Sequence, residues 1–518
     1  MSSTQARRPI LFVTSNGTGF GHLTRSMAIG RRLDPAFEAV IFTLSAAAPI
    51  VRRLGFRVEY LSSYRTPGAG SEWGWHRRLR SRLRALVEEL DPAALVFDGV
   101  HPYVSVLDVL RERPELAALW CRRALWQPGA GREFLAAERA FDLVLEPGEL
   151  AAEDDRGLTA PRRDRALVVP PIVLLDESEL VPRAEAEREL GLEPGRVNAL
   201  VAVGAGSDAV DRTVQRCLDR LAREPDVQPV ALESSISRSL TLPEGVVRVR
   251  DTYPMSRYLR GFDLTVSAAG YNNLHELVRF GVPTLFVPMR RELDDQAARA
   301  RWAARAGVGV ACEGPDSPDI EAGLDALLDP ARREQMARRA ADTAVENGAG
   351  PAAEALSKLA ESGPGERPPR RAGWRHRPIF YAWMLARVPA HHLFGFGYRA
   401  PRAVCVALGV GEDELVVAAD RLPAELGEPP ERVLFVTDAG DLGPLRRAGV
   451  GVEYVPPRGA VEGGGEDYEA FVDRRLRGVL AGRPAPRAIV GIGAENEARS
   501  ATLPARGGAG NRGPGEAG

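Results

Sequence analysis

Residues 264–310 combine small residues with the start of a helix in a way that suits phosphate binding. Ala269 and Gly270 end a short apolar run, and a helix is expected to begin at Tyr271-Asn272. Small residues before a helix N-terminus let a phosphate approach backbone N–H groups, where the helix dipole favours negative charge. The stretch therefore predicts a phosphate site at the start of this helix.

Three polar side chains follow the predicted phosphate site. Glu276 lies farther along the same helix, where its carboxylate can accept hydrogen bonds from two ribose hydroxyls. Asp295 and Gln296 come after the next apolar strand and offer an acceptor and an amide to a polyhydroxylated ring. Taken in order from ribose to sugar, these groups suit a nucleotide diphosphate sugar.

This ordered set resembles the donor-binding C-terminal domain of GT-B glycosyltransferases. The group with the matching pattern is that around the MurG-type N-acetylglucosaminyltransferases and the related UDP-sugar glycosyltransferases. The residues that carry the resemblance are Gly270, Glu276, Gly281, Pro283, Pro288, Asp295 and Gln296. It implies a metal-independent, inverting transfer of a sugar, by default from a UDP-sugar, to an acceptor hydroxyl. It also implies a second loop beside the diphosphate, formed by Gly204, Gly206 and Ser207.

A glycine-rich loop ending in Gly21-His22 follows the first predicted strand. His22 replaces the third glycine of the dinucleotide-binding fingerprint, and no acidic residue clearly ends the second strand, so dinucleotide binding is disfavoured. The loop resembles the acceptor-side loop of GT-B enzymes, which implies that His22 is the general base and that Asp98, after a later strand, orients it. The residues expected on the acceptor side are Gly17, Gly19, Gly21 and Arg25. Capping or packing remains the alternative role for both His22 and Asp98.

Composition places the chain among globular proteins with two or three domains. It has 518 residues, 44% hydrophobic and 27% charged, and a net charge of −2 that argues against nucleic-acid binding. Four scattered cysteines suit a reducing compartment, and neither a signal peptide nor a long apolar run is visible. These features predict a cytoplasmic protein. Asp294-Asp295 lacks the D-x-D spacing of metal-dependent glycosyltransferases, so we expect no metal and no cofactor.

Alternating strands and helices predict an α/β protein of the GT-B type, with two doubly wound Rossmann-like domains facing a cleft. One strand is expected near Ala124–Gln127. The predicted units are an acceptor-side domain (1–170), a donor-binding domain (171–362), a linker with an aromatic segment (363–400), a degenerate repeat (401–500) and a disordered tail (501–518).

The predicted repeat is visible as pairs of similar segments that are separated by the same number of residues along the chain. Residues 446–457 (RRAGVGVEYVPP) and 486–493 (PRAIVGIG) parallel 52–63 (RRLGFRVEYLSS) and 92–99 (PAALVFDG). The motif RRLR also recurs, at 77 and at 474. Ile492 takes the place of Asp98, and the copy lacks the Gly-His loop. We therefore expect a Rossmann-like half-domain without chemistry, used for packing, dimerisation or acceptor binding.

The sequence leaves partners and rival functions open. The acceptor is a small molecule or a lipid-linked glycan, as in polysaccharide or glycoconjugate biosynthesis. Residues 76–84, flanked by Trp73 and Trp75, form a basic amphipathic helix that either contacts the inner face of a membrane or packs its leucines in the core, and the second reading is favoured. A homodimer is a further option. The rival functions are a UDP-sugar 2-epimerase and a non-catalytic nucleotide-sugar-binding partner protein.

Overall fold

The computed structural model describes most of the chain. The described residues are 7–15, 20–204, 207–233, 242–250, 252–343, 345–364, 400–463, 465–481, 483 and 485–505. The predictions for Gly17, Gly19 and Gly206 therefore lie outside the described residues. So do those for the aromatic part of the linker and for the tail beyond residue 505.

The N-terminal domain is built on a parallel sheet. Its strands are Arg8–Thr14 (β1), Phe37–Thr43 (β2), Arg57–Tyr60 (β3), Ala94–Asp98 (β4), Ala117–Cys121 (β5), Leu143–Pro147 (β6) and Leu167–Val169 (β7). Its helices are Gly21–Gly30 (α1), Ala48–Arg53 (α2), Glu72–Leu90 (α3), Val104–Glu112 (α4) and Arg132–Leu135 (α5). The strand order is β3-β2-β1-β4-β5-β6-β7, in which the order reverses between β1 and β4.

The second domain repeats this plan. Its strands are Val197–Ala202 (β8), Val227–Glu233 (β9), Val247–Arg250 (β10), Leu264–Ala268 (β11), Thr284–Val287 (β12) and Val310–Ala311 (β13). Its helices are Arg183–Leu190 (α6), Asp208–Leu221 (α7), Tyr271–Arg279 (α8), Gln296–Ala306 (α9), Ile320–Leu328 (α10), Pro330–Thr343 (α11) and Ala349–Ser362 (α12). The order β10-β9-β8-β11-β12-β13 again reverses beside the first strand.

A smaller parallel sheet forms the C-terminal half-domain, residues 400–505. Its strands are Ala403–Ala407 (β14), Val433–Thr437 (β15), Gly451–Tyr454 (β16) and Ala488–Gly491 (β17). Its helices are Glu412–Glu425 (α13), Gly443–Arg447 (α14), Arg458–Glu462 (α15), Tyr468–Leu480 (α16) and Ala494–Ala501 (α17). The strand order is β16-β15-β14-β17. The predicted α/β class with Rossmann-like parallel sheets is confirmed.

Helices cover both faces of the sheets, so the central strands are largely buried, as parallel sheets require. The helix α3 shows how a charged sequence satisfies this rule. Trp75, Leu79 and Leu83 are fully buried on its inner side. Arg80 pairs with Glu112, and Arg82 donates to Glu59 across 2.6 Å. This geometry agrees with the core-packing reading of α3. Within the described residues, no helix has the length and apolarity that a membrane span needs.

The prediction of a strand at Ala124–Gln127 is wrong. The strand that pairs with β4 is β5, which ends at Cys121. Leu125 has a φ of 58°, a left-handed conformation that interrupts an extended strand. Trp126 instead forms an isolated antiparallel bridge with Asp294, in the loop before α9. The apolar run at 124–127 therefore serves a contact between the two domains.

Candidate active site

His22 and Asp98 are brought together by neighbouring strands. Thr14, the last residue of β1, pairs with Asp98, the last residue of β4. The loop after β1 leads into α1, whose first turn carries His22. The carboxyl ends of β1 and β4, where ligands bind in such sheets, thus lie side by side at the point where the strand order reverses.

The two side chains form a buried hydrogen-bonded pair. His22 Nδ1 lies 2.7 Å from Asp98 Oδ1, with His22 6% and Asp98 1% exposed. An ionised carboxylate only accepts hydrogen bonds, so Nδ1 carries the proton that is donated to Asp98. Nε2 is then the unprotonated nitrogen, and none of the described residues hydrogen-bonds to it. This tautomer is the one that a general base requires.

Arg25 is a third member of this cluster. Its Nε donates to Asp98 Oδ2 across 3.0 Å, and its Nη2 donates to Oδ1. Arg25 was expected to be available on the acceptor side, but it is only 1% exposed and is held on Asp98. Nη2 also lies 3.0 Å from His22 Nδ1. Because Nδ1 already donates to Asp98, this approach is a contact between two hydrogen-bond donors.

The charges of the cluster set its protonation state. Burial lowers the pKa of His22, Asp98 opposes this shift, and Arg25 adds to it. Burial by itself would raise the pKa of Asp98, but Arg25 and His22 outweigh it and hold that pKa below its usual range. At neutral pH the cluster therefore holds a neutral imidazole, an ionised carboxylate and a guanidinium.

The predicted phosphate site lies at the start of α8. Gly270 precedes the helix in an extended conformation, and no side chain of the described residues caps it. The first backbone N–H groups of a helix need partners from outside it, so this end is open to an anionic ligand. A Cβ added to Gly270 would lie 3.8 Å from Gln296 Nε2, which places that amide beside the helix start. Ala269 is fully buried behind it.

Glu276 has no charged partner among the residues that the structure describes. It is half-buried and forms no ion pair with any described residue. Burial raises its pKa to about 7, and a hydrogen bond from the backbone of Leu174 opposes that shift. Tyr253 lies close enough for the charge of Glu276 to raise the tyrosine pKa further. A partly buried, unpaired carboxylate is a natural acceptor for ligand hydroxyls.

Asp295 and Gln296 are engaged within their own loop. Asp295 caps α9 by accepting from the Ala298 N–H across 3.0 Å. Gln296 Oε1 accepts from the Met289 N–H at 2.9 Å, and Nε2 donates to Asp294 at 3.2 Å. The expected free acceptor and amide are thus partly occupied by the fold. In the other phosphate-type loop, Gly204 has a φ of 94° and is exposed, and Ser207 caps α7.

A buried ion network joins the two domains beside this site. Arg299 Nε donates to Glu149 Oε2 at 2.8 Å, and its Nη1 donates to Asp294 Oδ1 at 2.7 Å. Burial would raise the pKa of Glu149, but Arg299 and His275 lower it to about 2. His275 Nε2 lies 3.3 Å from Glu149, so this histidine belongs to the network and not to the ribose position. No sequence pattern pointed to the network, because its members are far apart in the chain.

The starts of α1 and α8 are in direct contact. Asn272 Nδ2, in the first turn of α8, donates to the Gly21 carbonyl at the start of α1 across 3.1 Å. Tyr253 reinforces this approach, since its hydroxyl lies 2.7 Å from Thr24 Oγ1. Its ring also stacks on Phe20 with the ring centres 4.8 Å apart. Tyr253 thus ties the second domain to α1 and to the residue that precedes it.

Tyr271 extends the same junction. Its hydroxyl donates to the Gly148 carbonyl and accepts from the Ile172 N–H, both at 3.0 Å. The centre of its ring lies 5.3 Å from the guanidinium carbon of Arg25 and 5.9 Å from that of Arg299. It therefore joins the His22 cluster to the buried ion network. Among the described residues, no cluster of histidine, cysteine and acidic side chains could hold a metal ion.

Residues 200–351 match the family model described as the glycosyltransferase family 28 C-terminal domain. The matched region is similar to that domain. It includes the start of α8, Glu276, Asp295 and Gln296, which are the residues on which the resemblance to MurG-type glycosyltransferases was based. The predicted relationship is therefore confirmed.

Two curated relatives are each named UDP-N-acetylglucosamine–N-acetylmuramyl-(pentapeptide) pyrophosphoryl-undecaprenol N-acetylglucosamine transferase. The protein of Clavibacter michiganensis subsp. michiganensis is 31% identical over 211 residues, which cover 39% of this chain and 55% of the relative. The match thus spans about half the length of that relative. The protein of Paenarthrobacter aurescens is 29% identical over 372 residues, which cover 67% of this chain and 95% of the relative.

The fold is of the GT-B glycosyltransferase type. The crystal structure of TcCGT1 in complex with UDP matches with a TM-score of 0.50 and 15% identity, covering 69% of this chain and 100% of that one. At this identity the likeness concerns the fold alone.

Proposed function

We propose that the protein is a glycosyltransferase that moves a sugar from a nucleotide diphosphate sugar, by default a UDP-sugar, to an acceptor hydroxyl. The observation that carries the proposal is the contact between Asn272 and Gly21. It joins the uncapped start of α8, which suits a diphosphate, to the helix that carries His22. A base for the acceptor and a site for the leaving group are thereby adjacent.

In the proposed reaction, His22 Nε2 takes the proton of the acceptor hydroxyl as that oxygen attacks the anomeric carbon. The bond from this carbon to the diphosphate breaks, and its electron pair passes to the leaving oxygen. Asp98 accepts the hydrogen bond from Nδ1–H throughout and stabilises the imidazolium that forms. One displacement of this kind inverts the anomeric centre.

The leaving diphosphate gains charge during this step. The N–H groups at the start of α8 and the helix dipole would stabilise that charge without a metal ion. Glu276 would accept hydrogen bonds from the ribose hydroxyls, while Gly204 and Ser207 would border the diphosphate. Asp295 and Gln296 would contact the sugar either through side-chain atoms that are not used in the hydrogen bonds described above or after a change of rotamer.

Arg25 is expected to keep His22 a weak base. In Arg25→Met, Asp98 would act on His22 alone, so the pKa of His22 should rise. The acid limb of the pH profile of kcat/KM should move to higher pH with it. NMR titration of the imidazole gives an independent measure, and Arg338→Ala, at an exposed surface pair, serves as the control. An unchanged limb in a folded variant would remove Arg25 from this role.

The first test of the function is titration calorimetry of the purified chain with UDP, dTDP and GDP in the absence of added metal. We expect one of the three to bind, with UDP favoured by resemblance to relatives. Release of the nucleotide from the matching sugar nucleotide is then followed with a panel of acceptors. Failure of all three nucleotides to bind would contradict the proposal.

The same assays separate the rival functions. An epimerised sugar nucleotide formed without an acceptor would indicate an epimerase. Binding without turnover against every acceptor would indicate a non-catalytic binding protein. A glycoside with inverted anomeric configuration is the result expected of the proposed enzyme.

A further inference from the structure

Aromatic side chains of the N-terminal domain form a continuous row of ring contacts. The ring centres of Tyr64 and Trp75 lie 5.3 Å apart, and those of Trp75 and Tyr103 lie 5.5 Å apart. The ring centre of His101 is 6.0 Å from that of Tyr103 and 4.1 Å from that of Phe134, edge to face in both cases. We call these rings the aromatic row: Tyr64, Trp75, His101, Tyr103 and Phe134.

The aromatic row lies at the carboxyl ends of the strands of the N-terminal sheet. The loop after β4 supplies His101 and Tyr103 and follows directly on Asp98. Tyr64 lies in the loop after β3, and Phe134 lies on α5, which follows β5. Ligands of open parallel sheets bind at this edge. The row therefore shares one edge of the sheet with the proposed base.

The donor-binding domain borders the end of the row that carries Phe134. Leu293, in the loop that also carries Asp295, packs against the hydrophobic core behind the row. The Leu293 carbonyl accepts from the Gln127 N–H at 2.9 Å. A Cβ added to Gly131, just before α5, would lie 2.9 Å from Leu293 Cδ2. The row therefore extends from the loop after Asp98 towards the loop that is expected to contact the sugar.

Most rings of the row are only partly buried. Trp75 is 0% exposed, whereas the other members each keep part of their surface accessible. Partial exposure next to a buried ring leaves apolar ring surface open at the carboxyl edge of the sheet. Sites for small molecules are lined mainly by apolar and aromatic side chains, with a few polar groups that orient the ligand. The aromatic row has this composition.

His101 supplies polar atoms within the row. Burial lowers the pKa of His101 to about 4, so at neutral pH its imidazole has one N–H donor and one nitrogen that can accept. The ring is packed against Tyr103 and Phe134, and none of the described residues forms a hydrogen bond with it. The imidazole can therefore hydrogen-bond to a polar group of a ligand that stacks on the row.

We propose that the aromatic row is the acceptor subsite, and that the acceptor carries its hydroxyl on a planar, apolar ring system, such as a phenol or a fused aromatic ring. The ring system stacks on Tyr103 and Phe134, His101 binds a polar substituent, and the attacking hydroxyl faces His22. A lipid-linked diphosphate acceptor would instead need cations or a series of N–H groups, which ring faces do not offer. This inference rests on the proposed glycosyl transfer.

The test uses 4-methylumbelliferone, a fluorescent planar phenol, and the full-length chain. Fluorescence titration should show that the chain binds the phenol without a donor. Phe134→Ala should weaken this binding about tenfold, because a stacking partner is lost. The KM for the phenol as acceptor should rise by a similar factor, while the affinity for the nucleotide stays unchanged. Tyr258→Ala, which removes a partly exposed ring from the donor-binding domain, is the control and should bind the phenol normally.

His101→Phe separates hydrogen bonding from packing in the row. The variant keeps an aromatic ring but lacks both nitrogens, so the KM for the phenol should rise about fivefold, the usual effect of one lost hydrogen bond. An unchanged KM would restrict His101 to packing and remove it from the subsite.

Two further results would overturn the aromatic subsite. One is phenol binding by Phe134→Ala that equals that of the wild type. The other is transfer to a lipid-linked diphosphate glycan with no transfer to the phenol. Phe134→Leu serves if the alanine variant does not fold, because leucine keeps apolar volume without the ring face and should also weaken phenol binding. Failure of every nucleotide to bind would remove the proposed transfer itself, whereas failure of the phenol alone to bind would remove only the aromatic subsite.

Discussion

Replacement of His22 by alanine is expected to lower kcat for sugar transfer by about 10²–10⁴-fold, the usual contribution of a positioned general base. The affinity for the nucleotide should change little, because His22 lies on α1 and the nucleotide site lies on α8. The measurement is the rate of nucleotide release at saturating acceptor, together with calorimetric titration of the nucleotide.

The control for this experiment must separate chemistry from folding. Asp98→Asn is a poor companion, because it would leave the buried Arg25 without its carboxylate, a loss worth about 3–5 kcal/mol. His22→Gln keeps a polar side chain of similar size and should lose as much activity as His22→Ala. Arg338→Ala, on the surface of α11, should retain full activity. A His22→Ala enzyme with wild-type kcat would show that another group is the base.

The pairing of His22 with Asp98 could be predicted because both residues lie next to strand ends. A glycine loop after the first strand and an acidic residue after a later strand are local features of the sequence. Adjacent parallel strands bring their carboxyl ends to one edge, and the β1–β4 pairing does so here. The start of α8 was predictable for the same reason, since small residues and apolar periodicity mark it.

The contact of Arg25 with Asp98, the ion pairs between the domains and the turn at Leu125 could not be predicted. Arg25 was placed on the correct helix, but whether its guanidinium faces the cleft or Asp98 depends on side-chain packing. The ion pair between Arg299 and Glu149 joins residues of different domains, and no spacing rule links them. The turn at Leu125 has an apolar sequence that also suits a strand, and its contact with the α9 loop decides the conformation.

The second prediction with a large effect concerns Glu276. Glu276→Ala should weaken the binding of a UDP-sugar by at least about 100-fold, since two hydrogen bonds to a charged group, about 1.5–3 kcal/mol each, are lost. Glu354→Ala removes an exposed glutamate paired only with Lys358 and should bind normally. Calorimetry with a UDP-sugar measures both. Equal affinity of the two variants would separate Glu276 from the ribose.

The raised pKa of Glu276 predicts that the affinity for the ligand depends on pH, which a merely structural role would not produce. In the unliganded chain, burial raises that pKa to about 7, so the carboxyl is largely protonated at pH 6 and largely ionised at pH 8. Ribose hydroxyls donate to the ionised form, so affinity should rise with pH, by about tenfold between pH 6 and pH 8. A UDP-sugar is the proper probe, because UDP has a terminal phosphate that titrates near pH 6. In Glu276→Gln the dependence should vanish, since the amide does not titrate. A slope that persists in this variant would assign the titration to a different group.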